Sequence, residues 1–305
     1  MDPIETPTQA TTSRFAALLA RGGPVLTDGA FGTMAMAAGL EPGEPPEPWN
    51  DRADARDRVR AIHAAYIAAG AQVVLTNTFG ANPVRLRIHD LSDRSYALCR
   101  AGAEVAREAA GDHVAVAGSL GPLGEFLAPL GLLDPAEARD AFATAARGLA
   151  DGGADVLWVE TMASLDEATA AIAGARDAAP GLPIVATMTF DSHGRTMMGT
   201  WPADAATALG ALGLTAIGAN CGTGPAEIET AIAAMHATAP DAILVAKGNA
   251  GVPRFVGTSS VYDMTPEAAA LHAVRARDLG ARLIGGCCGT TPAHVAAMAA
   301  ALRGE

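Results

Sequence analysis

Three cysteines are spaced for shared chemistry. Residues 284–291 read Ile-Gly-Gly-Cys-Cys-Gly-Thr-Thr, so Cys287 and Cys288 lie side by side on a glycine-flanked turn. An apolar run precedes them, and Pro292 follows, a residue suited to the first position of a helix. A bond between neighbouring cysteines would strain the peptide joining them. Two adjacent thiolates can instead grip one soft metal ion from two sides. A third sulfur stands in a matching context: Cys221 ends the run Ala216-Ile-Gly-Ala-Asn220 and is followed by Gly222-Thr-Gly224-Pro225. Cys99, the remaining cysteine, falls within a predicted helix and reads as a small buried residue. Structural zinc sites usually close with four protein groups, whereas three sulfurs leave one position for a ligand. Buried free thiols are the plain alternative, and a Cys-Cys redox pair lacks the C-x-x-C spacing.

A thiol entering that open position loses its proton near neutral pH, because the metal favours the thiolate. Three cysteinates over-neutralise a divalent ion, so the incoming sulfur keeps its electron density and remains a nucleophile. The expected chemistry is therefore alkyl transfer to sulfur, with Cys221, Cys287 and Cys288 as the catalytic metal ligands, and not activation of water.

Such sulfurs need elements that bring them together. Eight short apolar runs recur along the chain, at residues 25–27, 72–76, 114–118, 156–159, 184–187, 216–219, 243–246 and 282–285. Stretches of helical period separate them, at 53–69, 93–110, 135–152, 165–178, 203–212, 225–238 and 266–279, with 292–302 last. Continuous apolar strands alternating with helices imply a parallel sheet buried on both faces. Eight such units imply a single (β/α)8 TIM barrel of the α/β class over residues 21–305. A doubly wound sheet is the runner-up, but no G-x-G-x-x-G follows the first run. Residues 1–20 are expected to form a flexible leader.

Composition agrees with this class. Half of the 305 residues are hydrophobic and only 4% aromatic, which provides a large aliphatic core. A net charge of −12 argues against nucleic acid or an anionic membrane as partner. Four cysteines do not make a secreted disulfide scaffold, and no apolar run reaches the roughly 20 residues needed to span a bilayer. A cytoplasmic protein is expected, and self-association of the barrel is compatible with the sequence.

In a barrel of this kind the loops after the strands build the active site. They deliver Asp28-Gly29-Ala30-Phe31, Asn77-Thr78-Phe79-Gly80, Ser119, Glu160-Thr161, Asn220-Cys221, Lys247-Gly-Asn-Ala-Gly251 and the Cys287-Cys288 pair. Asp28 and Glu160 are candidate substrate contacts, and an amino-acid ammonium would partner Glu160 near the barrel axis. The plain alternatives are a turn held by Asp28 and a helix capped by Glu160. Asn220 either contacts substrate or orders the cysteine loop. The histidines read as helix, loop and turn residues.

Together, Asp28-Gly-Ala-Phe-Gly-Thr33, Thr76-Asn-Thr-Phe-Gly-Ala-Asn82, Gly118-Ser-Leu-Gly-Pro122, Glu160-Thr161, Gly218-Ala-Asn-Cys221 and Gly285-Gly-Cys-Cys-Gly-Thr290 resemble the homocysteine S-methyltransferase family. The resemblance runs over about residues 21–302. It implies a zinc-dependent barrel that methylates homocysteine to methionine, with Zn2+ on Cys221, Cys287 and Cys288. It further implies that Asp28 and Glu160, with the backbone of Gly29, Ala30 and Phe31, hold the amino-acid end of homocysteine. Ser119 and Asn220 are expected beside them.

The methyl donor stays open between two classes. Met188-Thr-Phe-Asp191, Arg195-Thr-Met-Met-Gly199 and Asn249-Ala-Gly251 resemble the homocysteine module of cobalamin-dependent methionine synthase. The chain has no D-x-H-x-x-G cobalamin motif, so methylcobalamin would arrive on a separate protein. Betaine, a quaternary ammonium, would instead need aromatic faces. Trp49 resembles the position of a betaine-contacting tryptophan in the animal enzymes, with a loop anchor as the equal alternative, while the tyrosine those enzymes carry after Thr-Phe is Gly80 here. Rival readings are a non-catalytic zinc- or thiol-binding subunit of a corrinoid complex, and a barrel aldolase using Lys247 as a Schiff-base lysine.

Overall fold

The computed structural model describes residues 13–256 and 259–305. Eight parallel strands form one ring: β1 Val25–Leu26, β2 Val73–Leu75, β3 Ala115–Leu120, β4 Val156–Met162, β5 Ile184–Met188, β6 Ala216–Cys221, β7 Leu244–Gly248 and β10 Ala281–Gly286. Each of the eight expected runs is a strand. Their order in the sheet is β1-β10-β7-β6-β5-β4-β3-β2, and a parallel bridge from Thr27 to Val73 joins the two ends. An additional antiparallel hairpin, β8 Arg254–Val256 with β9 Ser259–Val261, was not anticipated. It interrupts the connection between β7 and the next helix.

The helices wrap the outside: α2 Phe31–Ala37, α3 Arg56–Ala68, α4 Pro83–Leu86, α5 Ser95–Ala110, α6 Pro135–Asp151, α7 Leu165–Ala178, α8 Pro202–Gly210, α9 Pro225–Thr238, α10 Pro266–Asp278 and α11 Pro292–Arg303. Proline stands at the first turn of six of them, where its missing N–H costs nothing. Side-chain oxygens of Asp134, Ser164 and Thr265 accept the free amides that open α6, α7 and α10. Gly70, Gly153 and Gly280 turn the chain from helix into strand with positive φ.

The expected flexible leader lies outside the described residues as far as position 12. Beyond it the expectation needs correcting, because Arg14–Ala20 form a helix, α1, capped by the Ser13 hydroxyl. Phe15 and Leu18, three residues apart, share one face of α1 and are buried. Phe15 meets Trp158 edge to face, with ring centroids 6.5 Å apart. It joins Val25, Val73, Ala115 and Val156 from the beginnings of the strands. α1 therefore fills the end of the barrel opposite the strand C-termini. Arg14 fixes it there through ion pairs to Asp112 and Asp155.

Two apolar layers result. Alternate strand residues such as Val185, Val245 and Leu283 fill the barrel with Trp158, and the others pack outward against the helices. Because parallel strands all point the same way, their C-terminal ends open onto a single face.

Candidate active site

That face holds a cavity of about 480 Å³ lined by the C-terminal ends of β3, β4, β6 and β7 and by residues that follow β1, β2 and β10. At its floor the three cysteines converge. Their sulfurs lie within 4.8 Å of one another, and those of Cys221 and Cys287 are 3.0 Å apart. Cys221 ends β6 with a φ of 61°, a left-handed conformation uncommon for a side-chain-bearing residue. Thr161, at the end of β4, shares it with a φ of 64°. The Asn220 side chain binds across both. Its Oδ1 accepts from Thr161 N at 2.8 Å and Thr187 Oγ1 at 2.7 Å, and its Nδ2 donates to Thr161 Oγ1 at 2.7 Å.

The Cys287-Cys288 turn is held from three sides. Cys287 N donates to Gly248 O at 2.8 Å, Cys288 N to Asn249 Oδ1 at 2.9 Å, and Gly289 N to Thr33 Oγ1 at 3.0 Å. The Tyr66 hydroxyl lies 3.0 Å from Ala30 O and 2.9 Å from Thr290 O. It ties the loop after β1 to the loop that carries the sulfurs.

A cation fits this floor. Tetrahedral sulfurs about 2.3 Å from a zinc ion stand ~3.8 Å apart, the scale of the cluster seen here. Sulfurs so close cannot all ionise against one another. Hydrogen bonds from Cys221 and Cys287 drive the Cys288 thiol down, while the contact with Cys287 drives Cys221 up. A divalent ion between them removes that repulsion. Cys99 is fully buried in α5, as expected, and burial pushes its thiol far up.

The carboxylates stand on the cavity wall in different company. Asp28 is ion-paired to Lys247, with Oδ1 2.8 Å from Nζ, and its Oδ2 accepts from Leu75 N at 2.7 Å. Glu160 Oε1 accepts from Ser119 Oγ at 2.5 Å. Burial pushes the Glu160 carboxyl up to about 7, an effect that Lys247 opposes. Gly29, Ala30 and Phe31 line the wall beside Asp28. Asp28, Ser119, Glu160, Phe31 and the three cysteines are thus brought together, with Asn220 behind the sulfurs.

Trp49, read in sequence as either a substrate contact or a loop anchor, is not among the lining residues. It is only 2% exposed and belongs to the core outside the barrel, with the Arg58 guanidinium 5.3 Å from its ring. It stands within the short turn Glu47–Asn50 as a buried loop residue. The sequence reading placed Asn249 in a site loop without giving it a role, and it missed Tyr66 and Tyr262. Tyr262, which follows β9, lines the cavity and packs its ring against Gly289. Asn249 had a visible signal, since it sits in the loop after β7 at the height of the other strand ends. Tyr66 lies within a helix and had none.

Comparison with known proteins gives consistent answers. A family model described as "Homocysteine S-methyltransferase" matches residues 25–302. The methionine synthase of Mycobacterium tuberculosis is 37% identical over 259 residues, which are 81% of this chain and 21% of that protein. The methionine synthase of Mycobacterium leprae is 36% identical over the same share of each chain. The chain thus spans about one-fifth of the length of these relatives. Among solved structures, the metallated form of the homocysteine methyltransferase MmuM from Escherichia coli superposes with a TM-score of 0.78 at 27% identity, covering 94% of this chain and 99% of that one. Its apo form gives a TM-score of 0.72 at 26% identity over the same shares.

Proposed function

The chain belongs to the homocysteine S-methyltransferase family, and we propose that it transfers a methyl group to the sulfur of homocysteine, with zinc held by Cys221, Cys287 and Cys288. The observation that carries this reading is the set of three sulfurs within 4.8 Å at the floor of a cavity that also exposes Glu160. Zinc bound there would lower the pKa of the substrate thiol, so that it reacts as a thiolate near neutral pH.

The residues do the rest. Glu160, steadied by Ser119, receives the substrate ammonium, and the backbone of Gly29, Ala30 and Phe31 faces its carboxylate. Asp28 completes this wall. The Asn220 amide orients the sulfurs of Cys221 and Cys287. The substrate sulfur is left facing the open arm of the cavity, from which a methyl group can approach in line.

For the donor we favour protein-borne methylcobalamin over betaine. An aromatic cage for betaine has little support here. Trp49 is sealed in the core, and the Phe79 face is already covered by the Arg85 guanidinium at 5.6 Å. Position 80, where the animal enzymes carry a tyrosine, is glycine, and its amide donates to Glu47 Oε1 at 2.7 Å. By contrast, exposed Met36 and Ile88 border the cavity, and exposed Met197 and Met198 line an adjoining depression that reaches Cys221. Such a rim suits a macromolecular carrier pressing on the opening.

Two measurements test the reading. Metal analysis of protein purified without added zinc should find about one zinc per chain, lost in Cys287→Ala. Methionine formation from homocysteine is then assayed with betaine, with free methylcobalamin and with a methylcobalamin-bearing protein. Turnover with a cobalamin donor is expected. Absence of metal together with absence of methionine from every donor would overturn the proposal.

A further inference from the structure

Asp28 and Glu160 look interchangeable as strand-end carboxylates, but their oxygens are differently engaged. Both oxygens of Asp28 are taken, Oδ1 by Lys247 at 2.8 Å and Oδ2 by the Leu75 amide at 2.7 Å. The pair is closed off from solvent, with 2% of the Lys247 side chain and 3% of that of Asp28 exposed. Glu160 has one partner, the Ser119 hydroxyl on Oε1. Among the described residues no basic group comes within 4.0 Å of it, and its Oε2 accepts no hydrogen bond although the residue lines the cavity.

Charge counting sharpens the contrast. Asp28 and Lys247 cancel, so of these two carboxylates only Glu160 is left uncompensated. Homocysteine brings one ammonium. β7 places Lys247 in register with Gly285 of β10 and Asn220 of β6, between the two strands that carry the sulfurs. Its ammonium is held there over the Trp158 ring at 5.9 Å.

We propose that Lys247 is a positioning residue that commits Asp28 as its counter-ion and leaves Glu160 as the single carboxylate that reads the substrate ammonium. This rests on the reading that homocysteine occupies the cavity. Its consequence is a particular pattern of rescue. Removing the charge of Asp28 alone leaves a buried ammonium unpaired, a costly state. Lys247 then turns to Glu160, the remaining anion of the wall, and displaces the substrate ammonium. Removing both members of the pair returns Glu160 to the substrate.

The test compares two thiols by calorimetry on the zinc-loaded full chain near neutral pH: homocysteine, and γ-mercaptobutyrate, which lacks the amine. Wild type should prefer homocysteine by roughly 10- to 100-fold, the range of a hydrogen bond to a charged group. Glu160→Gln should erase the preference, and Asp28→Asn should erase most of it. The double variant Asp28→Asn, Lys247→Met should restore the preference to within about threefold of wild type, a coupling that only contacting residues show. Zinc content, measured alongside, should stay at the wild-type value throughout. Should the methionine pair fail to fold, Asp28→Asn with Lys247→Gln carries the same comparison. A double variant as indifferent as Asp28→Asn alone would mean that Asp28 itself holds the ammonium, and the inference falls. A preference that survives Glu160→Gln overturns it as well. Wild type binding neither thiol would remove the functional reading and this inference together, whereas wild type binding homocysteine with the wrong rescue pattern removes the inference alone.

Discussion

Asn220 Nδ2 stands 3.8 Å from the Cys287 sulfur, and 3.6 Å from that of Cys221, while donating a shorter bond to Thr161 Oγ1. One buried amide therefore faces sulfurs from two different strands. Groups that orient metal ligands in this way are typically worth about 10- to 100-fold in metal affinity. Asn220→Ala should lose zinc affinity by that amount in competition with a chromogenic chelator, with little change in far-ultraviolet circular dichroism. Wild-type affinity in this variant would show that the sulfurs are held by their own turns alone.

The ionisation of Glu160 gives a second expectation. Burial, opposed by Lys247 and reinforced by Cys287, raises its carboxyl to about 7. A raised carboxyl is protonated below that pH and then offers no charge to an ammonium. The preference for homocysteine over γ-mercaptobutyrate should therefore rise between pH 6 and 7.5, at most about tenfold per unit. Taking the ratio of the two ligands cancels the ionisation of the thiol and the metal centre. The profile should be flat in Glu160→Gln, and a slope that persists there would assign it to another group.

His63 carries an acid sensitivity remote from the sulfurs. It is fully buried on α3 against Phe31, with ring centroids 5.4 Å apart, and neither ring nitrogen has a hydrogen-bond partner. Burial lowers its pKa from 6.5 to about 4. A lowered imidazole pKa means that the unfolded chain binds the proton first. The stability linked to this group is complete above pH 6.5 and is lost as the pH falls towards 4, by roughly 3 kcal/mol in all. Urea denaturation at pH 7.5 and pH 5 should show a loss for wild type that is roughly 2 kcal/mol greater than for His63→Leu. Equal losses in the two proteins would place the acid sensitivity elsewhere.

Much of this architecture is legible in the chain. Parallel strands buried on both faces read as plain apolar runs, so all eight were visible, and the bounds of α7 and α9 coincide with the helical stretches at 165–178 and 225–238. The sulfurs were visible because a cysteine pair on a glycine turn has few other uses. What escaped depends on register across the barrel, which spacing along the chain does not encode. Lys247 could be seen at a strand end, yet its pairing with Asp28 follows from β7 and β1 both flanking β10. Trp49 looks the same in sequence whether its ring faces the cavity or the core. The helix α1 escaped because seven residues give barely two turns of period, and its order comes from Phe15 docking on Trp158.

The glycine before the cysteine pair should be as intolerant as the cysteines themselves, for a reason of space. A Cβ at Gly286 would stand 2.2 Å from Thr290 Oγ1 and 2.6 Å from Thr290 Cβ. Neither atom can yield freely, because Thr290 Oγ1 donates to Cys287 O at 2.7 Å and accepts from Ala30 N at 3.2 Å. Gly286→Ala must therefore push Thr290 away. That movement loosens the sulfur turn and the loop after β1 together. We expect zinc affinity to fall by at least tenfold and the fold to lose about 1–3 kcal/mol, the usual cost of overpacking. Gly210→Ala is the matched control. It adds the same methyl at the end of α8, where nothing lies within 4 Å, and should be neutral or stabilising by up to about 1 kcal/mol. Chelator competition and urea melts on the two variants decide the matter. Tight zinc binding by Gly286→Ala would mean that Thr290 is dispensable for holding Cys287 in place.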